Sequence, residues 1–467
     1  MNTYLKNYWG IYREFVERFK NFTYKGIPIP LLTNFYQQID QELKTKMEKD
    51  DFPISGKYPD LKQEMLQPYF DKWIPDSILP SKTIKTDGRI LINYDYTRIP
   101  ERSYQQWFDQ GKTLILSRSK KTHLHGIPTE RLDNYEESTE EISNDLVKKA
   151  KSLFGKLEHH PAFSNDFFQQ TFLKRIPSII KTLNAAFNLF EKLTISAIIV
   201  GTTEDMVSRS LAIVGSMHGI KSICLQHGIL MGEEAFMPVF TRSVAAYGEY
   251  EKNWYTQRGV TIERIAEIGH PKYDEIFYKK TINHQEFLRK LNLDSTKTQL
   301  LVITGPSIDD AKFTKLMTNL IGNTQFQFII KPHPWEIAKG KYKLYQTFEK
   351  KYQSVKVLTS KENCLYELLP HIDGVISTLS TVVLESILFN KPVFVYDFLN
   401  SNRPYDYFDS LGEHKQKDPD QLYSVVNNYF TSPQHKEAYL EIRNQYIKGL
   451  YIDGFSASRL IDKINDK

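Results

Sequence analysis

Phe328-Ile329-Ile330-Lys331-Pro332-His333-Pro334 decides how this chain is read. An apolar run rich in β-branched and aromatic residues stops at two prolines. Proline has no N–H and a fixed φ, so a strand ends here and a stiff loop follows. The pattern repeats downstream. Asp373-Gly374-Val375-Ile376 runs into Ser377-Thr378-Leu379-Ser380-Thr381, then into the apolar stretch Val382 to Phe389, then into Pro392-Val393-Phe394-Val395. The order reads as strand, His-Pro loop, helices, strand, hydroxyl-rich turn, helix, strand. Each polar cluster follows an apolar run, which in an open parallel sheet is the carboxyl edge where ligands bind.

Working outward, Leu300-Leu301-Val302-Ile303-Thr304-Gly305 opens this half, and Gly305-Pro306-Ser307 should reach the same edge. The first half has a similar rhythm. Ile195 to Val200 reads as a strand, with Thr202 or Thr203 as the cap of a helix that runs to about His218 and stops at Gly219. Lys221 to Leu225 is a strand ending in Gln226-His227-Gly228-Ile229. Ser243 to Tyr247 and Ile265 to Ile268 are two more, the latter ending in Gly269-His270-Pro271. Arg89 to Tyr94 and Thr113 to Leu116 are short β-like runs. Asn134 to Phe154 reads as a charged helix, and Phe167 to Lys192 as a long amphipathic one with a kink or break near Pro177. From Pro419 the chain is helical, with Ser456 expected to cap the last helix. Strands alternating with helices in both halves predict an α/β fold with parallel sheets. The expected organisation is a helical extension over 1–80, a first domain over 81–280, a second over 281–450, and a terminal helix over 451–467.

At 467 residues the chain exceeds one ordinary core. Its 40% hydrophobic and 25% charged residues are those of a soluble globular protein. A net charge of +5 gives no reason to invoke nucleic acid and suits a small anionic substrate. Two cysteines, Cys224 and Cys364, form no disulfide framework, so a cytoplasmic setting is expected. Met1 to Lys20 lacks the apolar run of a signal peptide, and no stretch reaches the about 18 apolar residues of a membrane span. Tyr8, Trp9, Tyr12, Phe15, Phe19 and Phe22 recur at helical spacing. They predict a helix packed on the first domain. The alternative is a helix resting on the membrane interface, a peripheral contact.

Several residue types here suit chemistry on phosphate. His333, stiffened between prolines, can donate to a phosphate oxygen, and Lys331 can add charge; the plainer alternative is that His333 only caps a turn. Ser377, Thr378, Ser380 and Thr381 crowd a strand-to-helix turn, where unpaired N–H groups and the helix dipole favour an anion. Glu385, about one turn in, can accept from ribose hydroxyls or stand as a solvated helix residue. Gly305 should face the same place. No Walker loop and no G-x-G-x-x-G occurs, which removes support from ATP hydrolysis and hydride transfer. In the first half, His227 suits a general base for a hydroxyl, or else a buried histidine bonded to a carbonyl. Glu204, Glu233 and Glu234 are alternative bases, and His270 reads as structural. The adjacent His159-His160 point to opposite sides of most backbones. No grouping has metal-ligand spacing, so no metal is expected.

These motifs resemble the GT-B glycosyltransferases, and more narrowly the group that includes bacterial sialyltransferases, capsule Kdo transferases and CDP-glycerol glycerophosphotransferases. The carriers are Lys331-Pro332-His333-Pro334, Ser377 to Thr381 with Glu385, Gln226-His227-Gly228, and the terminal Gly454 to Arg459. The resemblance covers about residues 195–465. It implies two Rossmann-like domains facing a cleft, with the last helix crossing back to the first. It implies a donor of CMP/CDP or UDP type, a nucleotide-sugar, held by Gly305, Lys331, His333, Ser377, Thr378, Ser380 and Thr381, with Glu385 on the ribose. A glycan or lipid-linked acceptor would be deprotonated by His227, without metal or cofactor, in surface polysaccharide synthesis. The alternatives are a nucleotide-sugar 2-epimerase, a CDP-glycerol glycerophosphotransferase, or a non-catalytic glycan-binding subunit.

Overall fold

A computed structural model describes residues 1–53, 61–74, 87–278, 282–306, 308–360, 364–399, 403 and 405–466. The chain divides into two compact units: Met1–Lys272 with Phe455–Lys467, and Tyr273–Gly454. The boundaries expected at 80/81 and 280/281 lie outside the described residues.

In the first unit, β1 (Thr23–Tyr24) and β2 (Ile27–Pro28) form a small hairpin. The main sheet comprises β3 (Arg89–Asn93), β4 (Thr113–Leu116), β5 (His123–Leu124), β6 (Ile127–Glu130), β7 (Ile195–Val200), β8 (Lys221–Cys224), β9 (Ser243–Ala245) and β10 (Ile265–Ala266). Their order is β10-β9-β8-β7-β3-β4-β6-β5, and only β5 runs antiparallel to its neighbour. The inward side chains Ile92, Ile199, Ile223 and Ala245 form one core cluster with Leu460 and Ile464 of the terminal helix Ser456–Asn465. That helix is therefore part of this unit. Ser456 is its first residue rather than its cap, a place taken by Phe455.

The helix Thr3–Arg18 starts at Asn2, whose Oδ1 accepts from Leu5 N. Its aromatic stripe is buried within the unit: Trp9 and Phe15 are fully covered, and Tyr12 stacks on Phe35 with centroids 4.5 Å apart. The membrane-interface alternative fails for this stripe, because its apolar face is already covered by protein. Beneath it, Glu14 pairs with His160 at 3.2 Å. Burial pushes the Glu14 carboxyl up, but hydrogen bonds from His160 and Arg18 outweigh that and hold it below the usual range.

Two local expectations need correction. The helix Asp166–Lys192 runs unbroken through Pro177, because Phe172, Ile176, Ile179, Ile180 and Leu183 keep one face buried on both sides of it. The helix Met206–Met217 is capped by Asp205, whose Oδ1 accepts from Ser208 N at 2.9 Å. Thr202 instead accepts from Glu204 N within the preceding turn.

The second unit holds β11 (Thr298–Ile303), β12 (Phe326–Lys331), β13 (Val355–Val357), β14 (Gly374–Ser377), β15 (Val393–Tyr396) and β16 (Lys415–Gln416). All pairs are parallel, in the order β13-β12-β11-β14-β15-β16. Leu300, Val302, Phe328, Ile330, Ile376 and Phe394 pack under the helices Asp310–Ile321 and Pro419–Thr431. Among the described residues, no helix is long and apolar enough to cross a membrane.

Candidate functional site

Both sheets change direction of winding at their centre. In the second unit the change falls between β11 and β14, and in the first between β3 and β7. Loops leaving the carboxyl ends of such a strand pair diverge and leave a crevice. Each candidate cluster sits on one of these crevices.

In the second unit, Ile303 pairs with Lys331 on one side and with Ser377 on the other. One row across three neighbouring strands therefore carries the starts of the Gly305 loop, the His-Pro loop and the hydroxyl turn. Adjacent strands lie about 4.8 Å apart, so the outer two stand only about 10 Å from each other. Gly305 abuts the turn: a Cβ placed there would meet Thr378 Cγ2 at 3.0 Å. The His-Pro loop is tied to the first loop by Glu336. This buried carboxylate accepts from Thr304 Oγ1 at 2.6 Å, His333 N at 2.9 Å and Tyr345 OH at 2.7 Å.

His333 is the exposed N-cap of the helix Pro334–Ala338, and its Nδ1 accepts from Trp335 N at 3.1 Å. The capping reading is thus correct for one ring nitrogen. It also fixes the neutral tautomer: with Nδ1 accepting, the proton sits on Nε2, which is then a donor. Burial pulls the neighbouring Lys331 ammonium below its usual range, a cost that a nearby anion would offset. Ser380 caps the helix Thr381–Leu388, accepting from Val382 N. Ser377 is fully buried and its hydroxyl donates to Thr378 O, so its proton is used inside the turn. Thr378 is buried, and its hydroxyl has no hydrogen-bond partner among the described residues. Glu385 is 2% exposed, which removes the solvated alternative for it.

Glu336→Ala would strand three donors at once. Loss of one charged hydrogen-bond partner costs about 1.5–3 kcal/mol, and larger values mark a broken buried network. The expected destabilisation is about 3 kcal/mol or more, read by denaturant unfolding.

In the first unit, β3 ends in a loop with two non-glycine residues in the left-handed region, Tyr96 at φ 65° and Arg98 at φ 49°. Such strain persists where the surroundings enforce it. Gly201, at the end of β7, leaves room for this loop: a Cβ there would lie 2.2 Å from the Tyr96 carbonyl carbon. Tyr96, Thr202, Glu204, Asp205 and His227 line a cavity of about 350 Å³ together with Asn34, Gln37 and Arg175. His227 stacks on Phe236 with centroids 5.0 Å apart. Burial, and then the Arg98 charge, depress its pKa from an ordinary 6.5 to about 4. It is therefore neutral at physiological pH, the state a base requires.

The sign of this linkage is definite. The folded state resists the proton between about 6.5 and about 4, so this contribution to stability is complete above that window and is lost as pH falls through it. Arg98→Met removes the repulsion, so the His227 ring, followed by NMR, should titrate at higher pH than in the wild type. A titration that stays in place would show that Arg98 does not act on His227.

The alternative bases separate. Glu233 accepts from Trp9 Nε1 and Arg258 Nε, both at 2.6 Å, so both oxygens are committed and it is a structural residue. Glu234 is buried beside it and lines no part of the cavity, whereas Glu204 lines it and accepts from Asn34 Nδ2. His270 is buried and caps the next helix by accepting from Lys272 N. The sequence reading missed Tyr96, Arg98, Asn34, Arg175 and Glu336. Of these only Glu336 left a signal, three residues after His333 where a capping-box acid belongs.

Comparison with known proteins adds three findings. Residues 240–466 match the family model described as CDP-glycerol:poly(glycerophosphate) glycerophosphotransferase. No curated protein matches the chain. Among solved structures, a UDP-N-acetylglucosamine 2-epimerase covers 81% of this chain and 95% of its own, with 10% identity and a TM-score of 0.52. A glycosyltransferase from Rickettsia africae ESF-5 covers 81% and 99%, with 9% identity and a TM-score of 0.51. At such identities the likeness concerns fold alone, and the fold is the GT-B type, two Rossmann-like α/β domains.

Proposed function

We propose that the chain is a transferase that moves a sugar from a nucleotide-activated donor to an acceptor hydroxyl, with no metal needed. The observation that carries this reading is the row Lys331–Ile303–Ser377, which brings a histidine donor, a lysine and a helix N-terminus to one sheet edge. Unpaired N–H groups, a positive dipole end and a charged amine suit a diphosphate. Lys331, His333, Ser380, Thr381 and the orphaned Thr378 hydroxyl would hold it, Gly305 would let it approach, and Glu385 would meet the ribose. Neutral His227 would take the proton as the acceptor oxygen bonds to the anomeric carbon and the carbon–oxygen bond to the diphosphate breaks.

A second reading has one specific support, the family match over residues 240–466. There the acceptor oxygen would attack the β-phosphorus of a CDP-linked glycerol and release CMP. The same imidazole would serve. Incubation with acceptor and candidate donors, followed by identification of the free nucleotide, decides between them. A nucleoside diphosphate supports sugar transfer; a monophosphate together with a glycerophosphate on the acceptor supports glycerophosphoryl transfer, since a CMP-linked sugar would release the same monophosphate. Epimerised free sugar without acceptor would exclude both.

A further inference from the structure

A second cavity of the first unit lies at the opposite edge of the sheet from His227. Lys221 begins β8 and Ser243 begins β9, and the two strands are parallel, so both residues stand at the amino edge. With Arg242, Glu263, Lys463 and Asp466 they line a space of about 160 Å³. Lys221 Nζ donates to the carbonyls of Ile464 and Asp466, so the negative end of the terminal helix is already met. Arg242 and Lys463 have no such partner: among the described residues neither side chain makes a hydrogen bond or an ion pair. Arg242 is held in place by its backbone. Its N–H donates to Ser222 Oγ at 2.9 Å, and its carbonyl accepts from Arg264 Nε at 3.3 Å. Burial pulls the Lys221 ammonium below its usual range, and the Arg242 charge pulls it further. Lys463 acts in the same sense and Asp466 in the opposite one. Three like charges are thus gathered at one cavity. All three are partly buried, whereas the two carboxylates of the lining, Glu263 and Asp466, are exposed.

We propose that this cavity binds a small multivalent oxyanion, phosphate or pyrophosphate, at a site separate from the crevice at His227. The planar guanidinium of Arg242 meets two of its oxygens, and Lys463 adds charge. Lys221 spends two of its three N–H groups on the helix end, which leaves one for the anion. The anion offsets the mutual repulsion of the three cations. It also joins the start of β9 to the terminal helix, since Arg242 precedes the one and Lys463 lies on the other. The size fits: sites for larger molecules run to about 300–1,000 Å³, and this one is about half the lower figure. The placement of charge favours a free ion over an anionic membrane. A small ion passes between the exposed carboxylates to the cations, whereas a charged surface meets Glu263 and Asp466 first. This site does not depend on the transferase reading.

The test is calorimetric titration of the full chain with sodium pyrophosphate at fixed ionic strength. His333→Asn serves as the background, to remove the contribution of the second unit's sheet edge. Pyrophosphate should bind, and inorganic phosphate should bind more weakly. Arg242→Gln should weaken pyrophosphate at least tenfold, the effect of losing one hydrogen bond to a charged group. Lys463→Gln should weaken it at least threefold. Neither substitution removes a contact within the chain, and Arg242→Gln relieves the repulsion on Lys221, so the unfolding temperature without anion should not fall. Pyrophosphate should raise that temperature in the background chain and not in the chain that also carries Arg242→Gln. Absence of binding, an affinity unchanged by Arg242→Gln, or equal displacement by chloride at matched ionic strength would overturn the proposal. Phosphatidylglycerol vesicles form the other arm and should not bind through these residues. Vesicle binding that Arg242→Gln abolishes would assign the site to a lipid headgroup and overturn the free-ion reading.

Discussion

His227→Gln should lower turnover at least about 100-fold, since a positioned general base contributes about 10²–10⁴-fold. Glutamine is neutral and of similar reach, and His227 is already neutral at physiological pH, so no charge leaves the cavity. The stacking on Phe236 is lost, but the carboxylates, Tyr96 and the close approach of its loop to Gly201 remain. Donor affinity should therefore stay near that of the wild type, because the residues proposed to hold the donor, Lys331, His333 and Ser377 to Thr381, belong to the second unit. A variant that retains wild-type turnover would move the base to Glu204, the one of the three alternative glutamates Glu204, Glu233 and Glu234 that lines the cavity.

The second large effect is expected at His333. His333→Ala should lower turnover at least tenfold and should also cost about 1 kcal/mol of stability, because the cap on Trp335 N is lost. His333→Asn separates the two roles. Asparagine caps well, so stability should return, but it cannot reproduce the Nε2–H at the end of the imidazole ring. Turnover should stay low. If His333→Asn restored turnover, His333 would be a cap and nothing more, and the phosphate role would fall.

How much of this was legible in the sequence follows from what each signal measures. Apolar runs such as Leu300 to Ile303, Phe328 to Ile330 and Val393 to Val395 are long enough to mark buried parallel strands, and all three are strands. The clusters after them were legible because strand ends and helix starts need particular residues. What the sequence could not supply was lateral order. That β11 lies between β12 and β14, and so brings Lys331 and Ser377 into one row, is a matter of pairing rather than pattern. The same limit hid Tyr96, Asn34 and Arg175, which meet Glu204 and His227 from segments far apart in the chain.

The local corrections share a cause. Thr202 and Thr203 are good caps by type, but Asp205 stands immediately before the first helical residue, Met206, and takes the role. Pro177 reads as a breaker, yet burial on both sides carries the helix through it. The aromatic stripe of the first helix reads equally well as core or as membrane face. Only the packing of Phe35, Phe70 and Phe172 around it decides for core.

The most direct test concerns the sheet edge of the second unit. Calorimetric titration of the full chain with CDP, UDP, GDP and the matching nucleosides reads the contribution of the phosphates. At least one diphosphate should bind at least about 100-fold more tightly than its nucleoside, a difference of about 2.7 kcal/mol at 25 °C. His333→Asn should erase most of that gap without lowering stability. Equal affinities for diphosphate and nucleoside, or a gap that survives in His333→Asn, would contradict the account.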